Sequence, residues 1–261
     1  MLKKLIFIIF LIYSPLISSA ELKVLYIGDT LDESIGGSAV YDIIKIHDLM
    51  QRIGYQTNLK VQETIIVHDL FKPENVFESL KDIKTSPEDV IVIYYSGHGY
   101  QNDSSYKNPW PSFYIGRYAV KFEQLIEEME QHSAHLKIVI SDCCNISIPE
   151  AFQPKIYKKR RLPRHGSVNN TERDNYRRLF LNHEGTIFIT SSSPGEYSYG
   201  YYNGGFFTEH LANTLMDKIS YLPDISWEEL LCSTVRATAE FAEGQDIKQT
   251  PYYEINMELI K

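Results

Sequence analysis

Short apolar, β-rich runs that alternate with helical patterns predict an α/β protein, a three-layer α/β/α sandwich around a mostly parallel central sheet. The strongest observation is a pair of uninterrupted apolar runs, Asp89–Tyr95 (DVIVIYY) and Leu136–Ile140 (LKIVI). Runs of that kind suit strands buried on both faces, as parallel strands under two helical layers are. The second observation is the helical periodicity lying between such runs, and the third is the absence of any internal repeat or low-complexity tract. A chain of 261 residues with 43% hydrophobic content can bury a sizeable core.

In chain order, Leu22–Ile27 (LKVLYI) reads as a strand, followed by a Gly-rich loop and a helix from about 39 to 53. Ile43, Ile46, Met50 and Ile53 share one face of that helix, and Gly54 follows as an expected terminating glycine. Pro73 opens a short helix carrying Phe77, Leu80 and Ile83, and Phe122, Leu125, Ile126 and Met129 mark another. Thr186–Thr190 (TIFIT) is a further buried strand. Helices follow near 206–216 and 227–241, the second opened by a capping box of Ser226 and Glu229, and a last strand lies at Tyr252–Ile255. The stretch 152–184 lacks a clear period and holds nine of the 26 basic residues, so it reads as a long basic loop or linker.

The first twenty residues stand apart from this domain of 21–261. Lys3 and Lys4 precede an apolar run from Leu5 to about Ile12, and Ser18, Ser19 and Ala20 supply small residues for cleavage, the pattern of a secretory signal peptide. Ser14 and Pro15 cut the run below the roughly 20 residues a spanning helix needs, so no stable membrane span is expected after its removal. The protein is therefore expected to be exported, to the periplasm or beyond. Its net charge of −8 becomes more negative once the two lysines leave, which argues against nucleic acid as a partner. Three cysteines, two of them adjacent, make no disulfide framework. An exported protein that keeps thiols in an oxidising compartment points to chemistry at one of them.

In an open parallel sheet the active site forms where loops converge at the carboxyl ends of the strands. One predicted strand runs into Ser96-Gly97-His98-Gly99 and the next into Asp142-Cys143-Cys144-Asn145. A free thiol is only a few per cent ionised at neutral pH, so a nucleophilic cysteine needs a neighbouring imidazole to take its proton. His98 is the candidate base, and the backbone N–H groups of Gly99 and Cys144 are candidate donors to the oxyanion of a tetrahedral intermediate.

A strand, SGHG, a second strand and DCC resemble the caspase-like cysteine peptidases (peptidase C14), most closely their metacaspase-type branch. His98 lies 46 positions before Cys144, close to the spacing of about 50 in caspase-type enzymes. Ser191–Glu196 (SSSPGE), Gly204–Thr208 (GGFFT) and Gln249–Tyr252 (QTPY) are similar to the family's later motifs. The resemblance implies a cysteine endopeptidase acting on protein or peptide substrates, with Cys144 rather than Cys143 as nucleophile. It implies that Asp142, joined by Asp42 of the first helix, lines the pocket for the residue before the cut, which then favours Arg or Lys. It also implies self-processing in the basic loop, at Lys158, Lys159, Arg160, Arg161 or Arg164. The chain departs from the family after the nucleophile, with Asn145, Ile146 and Ser147 where His, Ser and Gly often stand.

Two alternatives remain open at this level: a non-catalytic caspase-like binding protein, and a legumain- or transamidase-like peptidase preferring Asn. Cys143 and Cys232 read as packing residues, and His132, His135, His165, His183 and His210 have no constellation around them. A zinc site from His98, Cys143 and Cys144 is disfavoured because adjacent cysteines seldom reach one ion. No metal or cofactor is expected; some metacaspase-type enzymes use calcium, and no EF-hand loop is legible here.

Overall fold

The computed structural model describes residues 20–102, 105–147, 156–157 and 170–260. The elements run β1 (Glu21–Gly28), α1 (Gly36–Thr57), β2 (Lys60–Ile66), α2 (Pro73–Asp82), β3 (Val90–Ser96), β4 (Gly99–Tyr100), β5 (Ser112–Ile115), β6 (Tyr118–Lys121) and α3 (Phe122–Glu130). They continue with β7 (Leu136–Asp142), β8 (Ile156–Tyr157), α4 (Asn170–Leu181), β9 (His183–Thr190), β10 (Gly200–Tyr201), β11 (Gly204–Gly205), α5 (Phe206–Tyr221), α6 (Trp227–Glu243) and β12 (Tyr252–Leu259). The main sheet has the order β12-β9-β7-β3-β1-β2, parallel throughout except that β12 pairs antiparallel with β9.

Strand alternation divides the core into the two sides of the sandwich. Leu22, Val24 and Tyr26 of β1 and Val90, Val92 and Tyr94 of β3 face the helices α1, α4, α5 and α6. Leu25, Ile27, Ile91, Ile93 and Tyr95 face α2, α3 and the small β4-β5-β6 sheet. All seven residues of β3 are buried, which is why its sequence shows no polar alternation. Each such branched or aromatic side chain contributes about 1.5–3 kcal/mol through burial.

Two expectations are corrected. The first helix does not end at Gly54 but continues to Thr57, where Asn58 takes the left-handed conformation at φ 62°. Gly54 serves the packing of helix on sheet, since a Cβ there would lie 2.3 Å from Val61 Cγ2. The stretch 152–184 is not all loop, because it contains α4 and the start of β9. The apolar stripe of α4 was hidden because two polar residues share its inward face. Glu172 is buried against Arg52, and Asn175 Nδ2 donates to the carbonyls of Ile219 and Leu222 at the end of α5. Trp227 Nε1 donates to the carbonyl of Leu179 and so ties α6 to the same helix. Residues 1–19 of the expected signal peptide, the five expected processing residues and His165 lie outside the described residues. Among the described residues no helix is long and apolar enough to cross a membrane.

Candidate active site

Parallel register aligns Gly28, Ser96 and Asp142 at the tips of β1, β3 and β7, so the loops that follow all emerge at one edge of the sheet. The loop after β3 carries His98. Its backbone carbonyl accepts from the Tyr95 hydroxyl (2.7 Å) and from Tyr114 N–H (3.0 Å), which fixes the loop over the second core. Two flanking glycines are needed for steric reasons. A Cβ on Gly97 would sit 2.5 Å from Tyr95 Oη, and one on Gly99 would sit 2.5 Å from Cys143 Sγ and 2.6 Å from the Cys144 carbonyl. That second contact sets the backbone of Gly99 directly against Cys143–Cys144.

Cys143 turns inward, 2% exposed, as the alternation of a strand end requires. Its backbone is held by Ser191, whose Oγ accepts from Cys143 N–H (2.9 Å) and donates to its carbonyl (3.0 Å), while Ser192 Oγ donates to the same carbonyl. Cys144 turns instead toward a cleft that His98, Asp42 and Asp142 also line. Its Sγ accepts from Ser198 N–H (3.4 Å) and donates to the Ser198 carbonyl (3.7 Å), and burial pushes the thiol up to about 11. Cys144 and His98 share the cleft but are not hydrogen-bonded to each other among the described residues; His98 Nε2 lies 3.2 Å from Asp32 Oδ2. Cys232, expected to pack inside, is exposed on α6.

The floor of the cleft is acidic. Asp142 Oδ1 accepts from Ser198 Oγ (2.6 Å), and its Oδ2 accepts from Thr208 Oγ1 (2.7 Å) and Thr208 N–H (3.2 Å). Asp42 accepts from Ser96 Oγ (2.9 Å) and from Gly205 N–H (2.7 Å). Both carboxyls are buried, and burial raises both above the ordinary carboxylate range; the neighbouring Asp142 raises Asp42 further. Gly204, at φ +127°, and Gly205 are glycines because a Cβ would lie 2.7 Å from Asp42 Oδ1 in the first case and 2.1 Å from Asp142 Oδ2 in the second.

The later motifs therefore support the acidic floor and the end of the strand that leads into Cys144. Gln249 donates to the Ser191 carbonyl and to Ser198 Oγ and accepts from Tyr199 N–H, and Glu196 accepts from Thr250 N–H. Asn145, at the first position that departs from the family pattern, is fully buried and joins three segments. Its amide donates to the carbonyls of Pro109 and Ser192, and its Oδ1 accepts from Gln101. Ser96, Ser198, Thr208 and Asp32 had no site role in the sequence-based expectation. Ser96 opens the SGHG motif and Thr208 closes the GGFFT motif, so both were within reach, whereas Ser198 and Asp32 are ordinary loop residues until the fold assembles them.

Asp29, Asp32 and His98 offer ligand atoms within 4.8 Å of one another, the one such grouping among the described residues. Cys143 and Cys144 take no part in it. The grouping is built around the Asp32–His98 pair.

Sheet order, layers and the placement of thiol and imidazole define an α/β/α protein of the caspase-like class. Caspase-1 from Spodoptera frugiperda superposes with a TM-score of 0.56 at 12% identity, over 90% of this chain and 86% of that one. Protein GSU0716 from Geobacter sulfurreducens superposes with a TM-score of 0.55 at 14% identity, over 90% and 92%. The family model for the caspase domain matches residues 37–259, and the chain belongs to that family of cysteine peptidases, whose substrates are proteins. A search of curated proteins finds no match.

Proposed function

We propose that the protein is an exported cysteine endopeptidase of the metacaspase-type branch that cuts after Arg or Lys, with Cys144 as nucleophile and His98 as acid and base. The observation that carries the specificity is the buried pair Asp42 and Asp142 in the cleft beside Cys144. Burial raises both carboxyls and Asp142 raises Asp42 further, so Asp42 keeps its proton at neutral pH when the pocket is empty. A guanidinium or ammonium entering it allows both to ionise, which a neutral Asn side chain does not. The legumain-like alternative is disfavoured on that ground.

The raised thiol makes His98 a general base rather than the partner of a preformed thiolate. As the substrate carbonyl arrives, the Cys144 proton passes to His98 and the sulfur forms a bond to the carbonyl carbon. The resulting oxyanion is held by the N–H groups of Gly99 and Cys144. The carbon–nitrogen bond then breaks, the imidazolium proton leaves with the amine, and a thioester remains. Water, deprotonated by His98, attacks the thioester; the carboxylic product departs and the proton returns to the sulfur.

Fluorogenic peptides with Arg, Lys, Asn or Asp before the reporter test this on the purified protein. Cutting after Arg and Lys that is lost in Cys144→Ala and kept in Cys143→Ala is the expected result. No cutting of any peptide, with or without calcium, would leave the binding-protein alternative. Self-processing is read from the same preparations, since fragments ending at Lys158, Lys159, Arg160, Arg161 or Arg164 are expected and should vanish in Cys144→Ala. Export is checked by the N-terminus of the protein recovered outside the cytoplasm, expected to begin near Glu21.

A further inference from the structure

We infer that Asp32 is a positioning residue that orients His98 and fixes its tautomer, converting the Cys144–His98 dyad into a triad; the catalytic part of this inference rests on the peptidase reading above. Asp32 lies in the loop between β1 and α1, and its two carboxylate oxygens have separate tasks. Oδ1 is occupied by the chain itself, accepting from Ser34 N–H (2.8 Å), Ser34 Oγ and Ile35 N–H (3.0 Å). The Asp32 carbonyl meanwhile accepts from Gly36 N–H (2.9 Å) at the start of α1. The side chain is thus held by the turn that begins the helix, with Oδ2 left 3.2 Å from His98 Nε2.

A carboxylate at one ring nitrogen decides what the other can do. Oδ2 accepts from Nε2–H, so in neutral His98 the lone pair belongs to Nδ1, which becomes the atom that takes the thiol proton. When the imidazolium forms, the same carboxylate balances its charge. Asp32 is suited to this because it stays ionised. Burial pushes its carboxyl up, but the hydrogen bonds from Ser34 and Ile35 and the neighbouring His98 outweigh that and hold it at about 2. Asp29, the other carboxyl nearby, differs in both respects. Burial and Asp32 raise it, and it makes no ion pair with His98 among the described residues. Half-exposed charges are partly screened, so the effect on rate is expected below the full contribution of a general base.

Imidazole ¹⁵N spectra in the Cys144→Ala background test this without requiring turnover. In that protein the neutral His98 signal is expected to show the proton on Nε2. Asp32→Asn keeps an oxygen for Ser34 and Ile35 and so keeps the turn, but it can present an amide N–H to Nε2; the proton is then expected to move to Nδ1. Asp29→Asn is expected to leave it on Nε2. In the active protein, Asp32→Asn is expected to lower kcat by about 10- to 100-fold, with KM changed less than about twofold. A proton on Nδ1 in the Cys144→Ala protein, an unmoved proton in Asp32→Asn, or a shift caused by Asp29→Asn would each overturn the assignment, as would unchanged kcat in an active Asp32→Asn protein. If the tautomer behaves as expected but no peptide is cut by the protein with Cys144 intact, the orienting role stands and the peptidase reading is the part that fails.

Discussion

Replacing Asp142 by Asn asks whether the acidic floor selects a basic side chain. The substitution keeps the shape and removes one of the two carboxyls buried beneath the cleft. A unit charge about 4 Å from a guanidinium gains about 4 kcal/mol at an effective dielectric of 20, and desolvation offsets part of it. Charge-assisted hydrogen bonds of this kind contribute about 1.5–3 kcal/mol net, so kcat/KM for Arg substrates should fall about 10- to 150-fold. The assay compares peptides with Arg and with citrulline, its neutral isostere, before the cut. Unmodified protein should prefer Arg by that factor, Asp142→Asn should lose most of the preference, and citrulline rates should change little. Equal losses on both substrates would refute the reasoning, because they would mean that Asp142 supports the nucleophile strand rather than the guest's charge.

The same pair gives a pH dependence whose sign follows from its raised carboxyls. A carboxyl whose folded value lies above its ordinary 3.8 contributes stability at low pH and loses it as pH rises through the folded value. Relative to Asp42→Asn, the empty protein should therefore lose melting temperature between about pH 4 and about pH 8, a difference that scanning calorimetry would measure. Site-resolved mass spectrometry of iodoacetamide labelling should find Cys144 slow at pH 7 and faster toward pH 11, while exposed Cys232 reacts first; fast Cys144 labelling at pH 7 would contradict a thiol raised by burial. Gly205→Ala forces a methyl group against Asp142 and should cost about 1–3 kcal/mol, visible in denaturant melts, together with Arg cleavage. Asn145→Ala removes the donor to the Pro109 and Ser192 carbonyls and one of the acceptors of the Gln101 amide, which keeps the Asn108 carbonyl, and should cost about 2–4 kcal/mol, whereas a neutral result would remove its proposed role in joining the loops.

The order of residues along the chain is enough to specify the frame. The uninterrupted apolar runs of β3 and β7 announce strands covered on both faces, and the chemistry-bearing residues sit where those runs stop, so the chain order alone puts SGHG and DCC at one edge of a sheet. Local periodicity failed where burial depended on a distant partner. The inward face of α4 includes Glu172 and Asn175, which are burial-compatible only because Arg52 and the end of α5 meet them. Gly54 resembles a helix terminator until Val61 shows that it is a packing contact. Asp42 and Asp142 are 100 positions apart in the chain, and Asp32 and His98 are separated by α1, β2, α2 and β3. Which carboxyls face each other and which one reaches the imidazole depend on strand register and on the turn that starts α1. Hydrogen bonds and charge pairs act over a few ångströms of space, and sequence distance does not carry that information; it arises once the chain has folded and set these groups side by side.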